Sequence, residues 1–320
     1  GMNCMVANTT GADNTAVGSA SLDANTTGAE NTAVGKSSLT GNTTGGYNVA
    51  VGENALANNT TANYNIAVGR RALLSNTTGE GNNAIGYNDS LGMNAGGAIT
   101  TGGNNISVGR NAGAGITGGS ENVSIGYLSN DAANVGANVA VGAYALGANT
   151  GNNNVAIGWD ALGDNTSAVD NVAIGYRASS GSTTANSNTI IGKLSGSSLT
   201  TGSDNIFIGL LAGAHAVATT TGYANVLIGN YTDTSAASTI NANALGYNVT
   251  ATQNYTTVGN GTNDIRAQHG VATWATVSDE RVKKDIEDST VGLNFINDLR
   301  PVTFNYKNKG DLPTEFRGYE

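Results

Sequence analysis

Short apolar segments recur along this chain at a nearly constant interval, and each is closed by a glycine. The unit reads Asn-x-Ala/Ser-Val/Ile-Gly. Its first four copies carry Asn14 and Gly18, Asn31 and Gly35, Asn48 and Gly52, and Asn65 and Gly69. The series continues through Gly86, Gly109, Gly126, Gly142, Gly158, Gly175, Gly192, Gly209 and Gly229, with degenerate copies at Gly246 and Gly259. Most intervals are 17 residues; those of 23 before Gly109 and 20 before Gly229 are insertions. A second beat follows many of the glycines, as in Ser21-Leu22, Ala55-Leu56 and Ala161-Leu162. Polar corners such as Asn25-Thr26-Thr27-Gly28 and Asn76-Thr77-Thr78-Gly79 come next.

Helices fit this unit poorly, because glycine and β-branched threonine interrupt every stretch long enough to form one. The alternation within Asn-x-Ala-Val-Gly suits a short half-buried strand. A small unit of fixed length with two turns predicts one coil of a parallel β-solenoid or β-roll, about 17 residues per coil. Stacked coils advance about 4.8 Å per rung, so the repeats predict a shaft of roughly 70 Å. Asparagine at one fixed place predicts a side-chain amide ladder. Glycine at one fixed place predicts positive φ or a close backbone approach. Insertions are expected to bulge from a turn without breaking the stack. The handedness of the coil does not follow from the pattern.

Composition narrows the core. Glycine supplies 46 of 320 residues, while there are only 2 Pro, 2 Trp and 4 Phe, so a thin core of small side chains is expected. Charged residues are 12% and the net charge is −9. That balance disfavours nucleic acid and anionic membranes, which select Lys and Arg clusters. Cys4 is the only cysteine, so no intrachain disulfide is expected. No apolar run of about 18 residues predicts a membrane span. Gly1 precedes Met2, so the natural start is expected upstream. The Asn-Thr-Thr triplets match glycosylation acceptors but recur because the turn recurs. Asp13, Glu30, Glu53, Asp160 and Asp170 are read as solvated turn residues, His215 and His269 as structural, and no metal or cofactor is expected.

The repeat resembles the head repeats of trimeric autotransporter adhesins and similar repeats in phage tail fibres. It covers about residues 11–260 and differs in having the longer unit. In that family three rolls pack side by side, so the resemblance implies a homotrimer.

A sharp boundary follows. Residues 1–277 hold 7 basic and 14 acidic side chains, whereas residues 278–320 hold 7 and 9, and both prolines, Pro301 and Pro313. Residues 1–259 are read as the shaft, 260–277 as a junction and 278–320 as a small α+β fragment. In the last part Ser289 or Thr290 is expected to cap a helix with Val291, Phe295, Ile296 and Leu299 on one face. Pro301 ends it, and Val302–Tyr306 reads as a strand.

The boundary segment runs Val277-Ser278-Asp279-Glu280-Arg281-Val282-Lys283-Lys284-Asp285-Ile286. Its Ser-Asp-x-Arg-x-Lys motif resembles the opening of the intramolecular chaperone autoprocessing domain, which ends phage tailspikes, tail fibres and endosialidases. The resemblance runs from Ser278 to Glu320, and the family's domain is longer than this stretch. It implies that Ser278 is a nucleophile and Lys283 its general base, cutting the Val277–Ser278 bond once. Asp279 and Arg281 are read as structural partners in the motif, and Lys284 as the neighbouring alternative base. A serine hydroxyl needs such a base, and burial lets a lysine serve as one. No turnover enzyme is expected.

The reading is therefore a structural or receptor-binding virion tail fibre whose chaperone drives trimerisation and is then released. The host receptor or glycan is unspecified. A cell-surface adhesin is the alternative. An ice-binding solenoid fits less well, because adjacent threonines face opposite ways. A glycan-cleaving tailspike needs two carboxylates about 5–9 Å apart, and no such pair is evident.

Overall fold

The computed structural model describes residues 1–87, 94–131, 136–271 and 273–276. The chain divides into two units, Gly1–Val277 and Ser278–Glu320. The expected helix after Ser289, the stop at Pro301 and the strand at Val302–Tyr306 lie outside the described residues.

The first unit is an all-β parallel solenoid, and among the described residues there is no helix. Strands β1 (Thr15–Val17) through β13 (Val226–Ile228) have three residues each, one strand per coil. Their register is the sequence repeat itself. Thr15, Ala16 and Val17 lie over Thr32, Ala33 and Val34, and Val139, Ala140 and Val141 lie over Val155, Ala156 and Ile157. Strands β15 (Asn243–Gly246) and β17 (Tyr255–Gly259) extend the same ladder. A small second ladder pairs β14 (Asp233–Thr234) with β16 (Thr250–Ala251) on another side of the coil. Parallel stacking satisfies each corner as well as each strand. Leu22 N–H donates to the Ser38 carbonyl, and Thr26 N–H to that of Thr43, in the following coil.

The central residue of each strand points inward, and from β1 to β10 it is a small Ala or Ser. Ala33, Ala50, Ala67, Ala84, Ala140, Ala156 and Ala173 are fully buried. The larger Val and Ile on either side point outward, which inverts the usual arrangement. Volume inside comes from the opposite corner, where Leu22, Leu39, Leu56, Leu73, Leu146 and Leu162 are fully buried. These leucines adopt left-handed φ of 48–53°. That conformation costs an L-residue about 1–2 kcal/mol, and burying the side chain offsets it by about 1.5–3 kcal/mol.

Some coils use a second solution. At the register position of the leucine stand Gly96, Gly113, Gly196 and Gly213, also left-handed. Ile99, Ile116 and Leu199, three residues after the first three of these, fill the corner instead. Where the strand centre grows to Phe207, an added Cβ on Gly196 or Gly213 would meet the ring at 3.2 and 2.7 Å. The insertion before Gly229 projects at Ala214–Val217, while Thr219 N–H returns to the Gly213 carbonyl, so the stack continues past it.

Candidate functional site

Two features of the shaft position everything else. The first is the glycine column. From Gly18 to Gly246, Gly86 apart, φ lies between 125° and 141°. A Cβ on Gly18 would lie 2.4 Å from the Gly35 carbonyl oxygen, and one on Gly52 would lie 2.5 Å from that of Gly69. Each glycine is thus fixed by its φ and by the next coil. The column starts at Gly1, whose Cβ would meet Gly18 at 2.4 Å.

The second is the asparagine ladder. The Oδ1 atoms of Asn14, Asn31, Asn48 and Asn65 accept the backbone N–H of the next asparagine in the column at 2.8–3.0 Å. The first two also accept its Nδ2 at 3.1 Å. The remaining Nδ2 hydrogen crosses the coil to the polar corner: Asn31 to the Gly45 carbonyl at 2.9 Å, Asn48 to that of Ala62 at 2.9 Å. The ladder is therefore backbone-to-side-chain first and amide-to-amide second, and it ties two sides of each coil together.

A further ladder, which the Asn-x-Ala/Ser-Val/Ile-Gly unit does not predict, runs along the polar corner. Asn25, Asn42, Asn59 and Asn76 each donate Nδ2 to the Oδ1 of the preceding member, starting from Asn8, at 2.8–3.0 Å. It stops where Ile99 takes the place of asparagine, leaving Asn76 Oδ1 buried without a partner. The three-residue spacing Leu22–Asn25, Leu39–Asn42, Leu56–Asn59 was its signal. An exposed aromatic row, which the repeat unit does not mark, also stands one or two residues after successive glycines.

The acidic residues are mostly at the surface. Asp13, Glu30 and Asp170 are exposed. Glu53 pairs with Arg70 at 3.1 Å and Asp160 with Arg177 at 3.2 Å. His215 Nδ1 lies 3.6 Å from the buried Asp233, and His269 Nε2 lies 3.1 Å from Thr256 Oγ1. Among the described residues no group of three His, Cys, Asp or Glu is placed to hold a metal ion.

The shaft ends by changing pairing. Gly246 and Gly259 are 13 residues apart, a shortened last coil that still brings β17 into parallel register with β15. After Gly259 the chain reverses through Asn260–Asp264, where Asp264 Oδ1 accepts the N–H groups of Asn260 and Gly261 at 2.9 and 2.8 Å. Strand β18 (Ile265–Gln268) then pairs antiparallel with β17, and β19 (Ala275–Thr276) antiparallel with β18. The chain thus arrives at Thr276, two residues before Ser278, on a strand paired with β18 alone among the described residues. Val277, Ser278 and Lys283 lie outside the described residues.

A repetitive β-solenoid shaft followed by a separate C-terminal unit is the architecture these observations define. The family described as chaperone of endosialidase matches residues 278–317, the same stretch in which the Ser-Asp-x-Arg-x-Lys motif lies. The two parts together fit a tailspike or fibre with a C-terminal chaperone domain, and the match supports a tailspike-like trimerisation chaperone. No curated protein and no solved structure is significantly similar to the chain. No helix among the described residues is long and apolar enough to cross a membrane.

Proposed function

We propose that this chain is a segment of a virion tail fibre, a homotrimeric shaft that binds a host surface receptor and is freed from its chaperone by one self-cleavage. The observation that carries the trimer is the outer face of the sheet. From β1 to β13 the outward strand positions are Val, Ile, Thr or Asn, with no charge. Val17, Ile66, Ile85 and Ile157 are 38–57% exposed. A column of thirteen strands makes this face about 60 Å long at the usual rung spacing, a contiguous uncharged stripe of the kind that marks an interaction surface. A second and third copy match it, because identical periodicity lets rung meet rung along the whole length.

The interface predicts a separable effect. Ile157→Lys puts a charge on this face without touching the coil interior. The expected result is a folded chain that sediments as monomer at micromolar concentration where the parent sediments as trimer. A trimer of unchanged stability would remove this face from the interface.

For the cleavage, Lys283 takes the Ser278 Oγ proton as Oγ bonds to the Val277 carbonyl carbon. The C–N bond breaks and the proton passes to the new Ser278 amine. Water hydrolyses the resulting ester to a Val277 carboxylate. The mass spectrum of the purified protein is expected to show a shaft ending at Val277 and a fragment beginning at Ser278. Ser278→Ala is expected to abolish both products and Lys283→Met to reduce them at least about a hundredfold. Cleavage undiminished in Ser278→Ala would overturn this chemistry while leaving the fibre reading intact.

A further inference from the structure

An aromatic row runs along one corner of the central coils. Tyr127 and Tyr144 lie 5.4 Å apart edge to face, Tyr144 and Trp159 lie 6.1 Å apart, and Trp159 stacks on Tyr176 at 5.1 Å. Cations close both ends, with the Arg110 guanidinium 4.4 Å above Tyr127 and Lys193 Nζ 6.0 Å from Tyr176. Tyr144, Trp159 and Tyr176 are 39–46% exposed. Five of these six residues directly follow their coil's glycine, whereas Tyr144 stands one position later. That offset explains why its ring is turned 82° and 76° to its neighbours.

Beside the row lies a groove of about 280 Å³, lined by Tyr144, Asp131, Asp160 and Asp164 and floored in part by Gly147 and Gly163. The two glycines occupy equivalent places in consecutive coils, and at Gly163 the Asp160 carboxylate takes the space a side chain would fill. The lining holds carboxylates and no Lys or Arg. Arg177 is engaged with Asp160 from the side at 3.2 Å. Burial pushes the Asp131 carboxyl up to about 6, and burial also raises that of Asp160, opposed by the charge and hydrogen bond of Arg177 and reinforced by the charge of Asp164.

We infer that this corner binds a glycan chain built of uncharged or amino sugars, with pyranose rings against Tyr144 and Trp159 and their hydroxyls donating to Asp131, Asp160 and Asp164. A pyranose is amphipathic: its C–H face is apolar and its rim carries hydroxyls. An aromatic wall beside carboxylate acceptors matches both halves. The axial repeat matches too, since one coil rises about 4.8 Å, close to the length of one sugar unit in an extended chain. Charge sets the class, because three carboxylates in the groove repel sulfated, phosphorylated or sialylated chains. The row sits after the strands, off the outward strand positions assigned to the trimer. This inference rests on the receptor-binding part of the fibre reading and names the receptor's chemistry.

The test is an array of neutral, amino-sugar and anionic oligosaccharides probed with the full chain and with Tyr144→Ala, Trp159→Ala and Tyr64→Ala. Tyr64 stacks on Tyr47 at 5.0 Å in earlier coils and is not among the groove residues. Binding to neutral or amino sugars is expected, about tenfold weaker in Tyr144→Ala and Trp159→Ala, and unchanged in Tyr64→Ala. Melting and sedimentation should match the parent in all three. Binding confined to anionic glycans, or binding that Tyr144→Ala and Trp159→Ala leave intact, overturns this site but leaves receptor binding standing. No binding to any glycan overturns the site, and adsorption of the chain to whole cells then decides the receptor reading separately. A shift of Trp159→Ala from trimer to monomer would make the row an interface between copies and also overturn the site.

Discussion

Gly158→Ala is expected to destabilise the shaft by about 4 kcal/mol, read as a drop in its denaturation midpoint. Two costs combine at this position. The backbone sits at φ 135°, where an L side chain is strained, a penalty of about 1–3 kcal/mol. The new Cβ would also lie 2.4 Å from the Gly175 carbonyl oxygen and 2.6 Å from its carbon. Neither atom can rotate away, because both belong to the backbone of the next coil. The coils would have to separate, weakening the strand pairing of Val155–Ile157 with Val172–Ile174. Gly270→Ala isolates the conformational part. Its φ is 83° and an added Cβ would meet nothing within 4 Å, so about 1 kcal/mol is expected. Equal midpoints for the two variants would show that the coils do not approach as closely as the structure has them.

Asn154→Ala is expected to cost about 3–5 kcal/mol, since several buried polar groups lose their partner at once. Asn154 Oδ1 accepts the N–H and the Nδ2 of Asn171, each at 3.1 Å. Its Nδ2 donates to the Ala168 carbonyl at 2.9 Å and the Asn152 carbonyl at 3.1 Å. Removing the amide orphans donors above it and acceptors across the coil, in an interior that holds Asn154 fully buried. Asn153→Ala next to it is the comparison. Asn153 is exposed and its Nδ2 reaches only the surface carboxylate of Asp170, at 3.1 Å, so less than about 1 kcal/mol is expected there. Chemical denaturation of the two variants, monitored by far-ultraviolet circular dichroism, distinguishes a ladder that holds the shaft from one that merely decorates it.

Much of the shaft was legible because the repeat and the register are the same thing. When Asn14, Asn31 and Asn48 recur every 17 residues, a stacked coil has to place them over one another, and it does. The glycine column was legible for the same reason. The inward direction of the small residue and the outward direction of Val and Ile were harder to read, because alternation gives two faces without saying which one meets the core. The exchange of Leu73 and Asn76 for Gly96 and Ile99 is hidden in the sequence because it keeps the corner filled while changing residue types at two positions together. The antiparallel finish after Gly259 could not be seen either, since it depends on Asp264 closing a local turn rather than on any repeat. At the proposed cleavage site, Ser278 and Lys283 were legible as a motif through family resemblance, whereas the groove beside Trp159 needed folded coordinates to bring Asp131, Asp160 and Asp164 together.

The near-identity of successive rungs leaves the folding chain with an ambiguity. Because Val139–Val141 would pair with Val172–Ile174 almost as well as with Val155–Ile157, a slip by one whole repeat expels a loop but loses little else. Local interactions thus select the cross-section of the shaft without selecting which repeat follows which. In the proposed trimer, three such chains side by side would multiply the number of wrong alignments. A template that fixes one end of all three chains, and lets the rungs add in order from there, resolves a choice that the repeats cannot make for themselves.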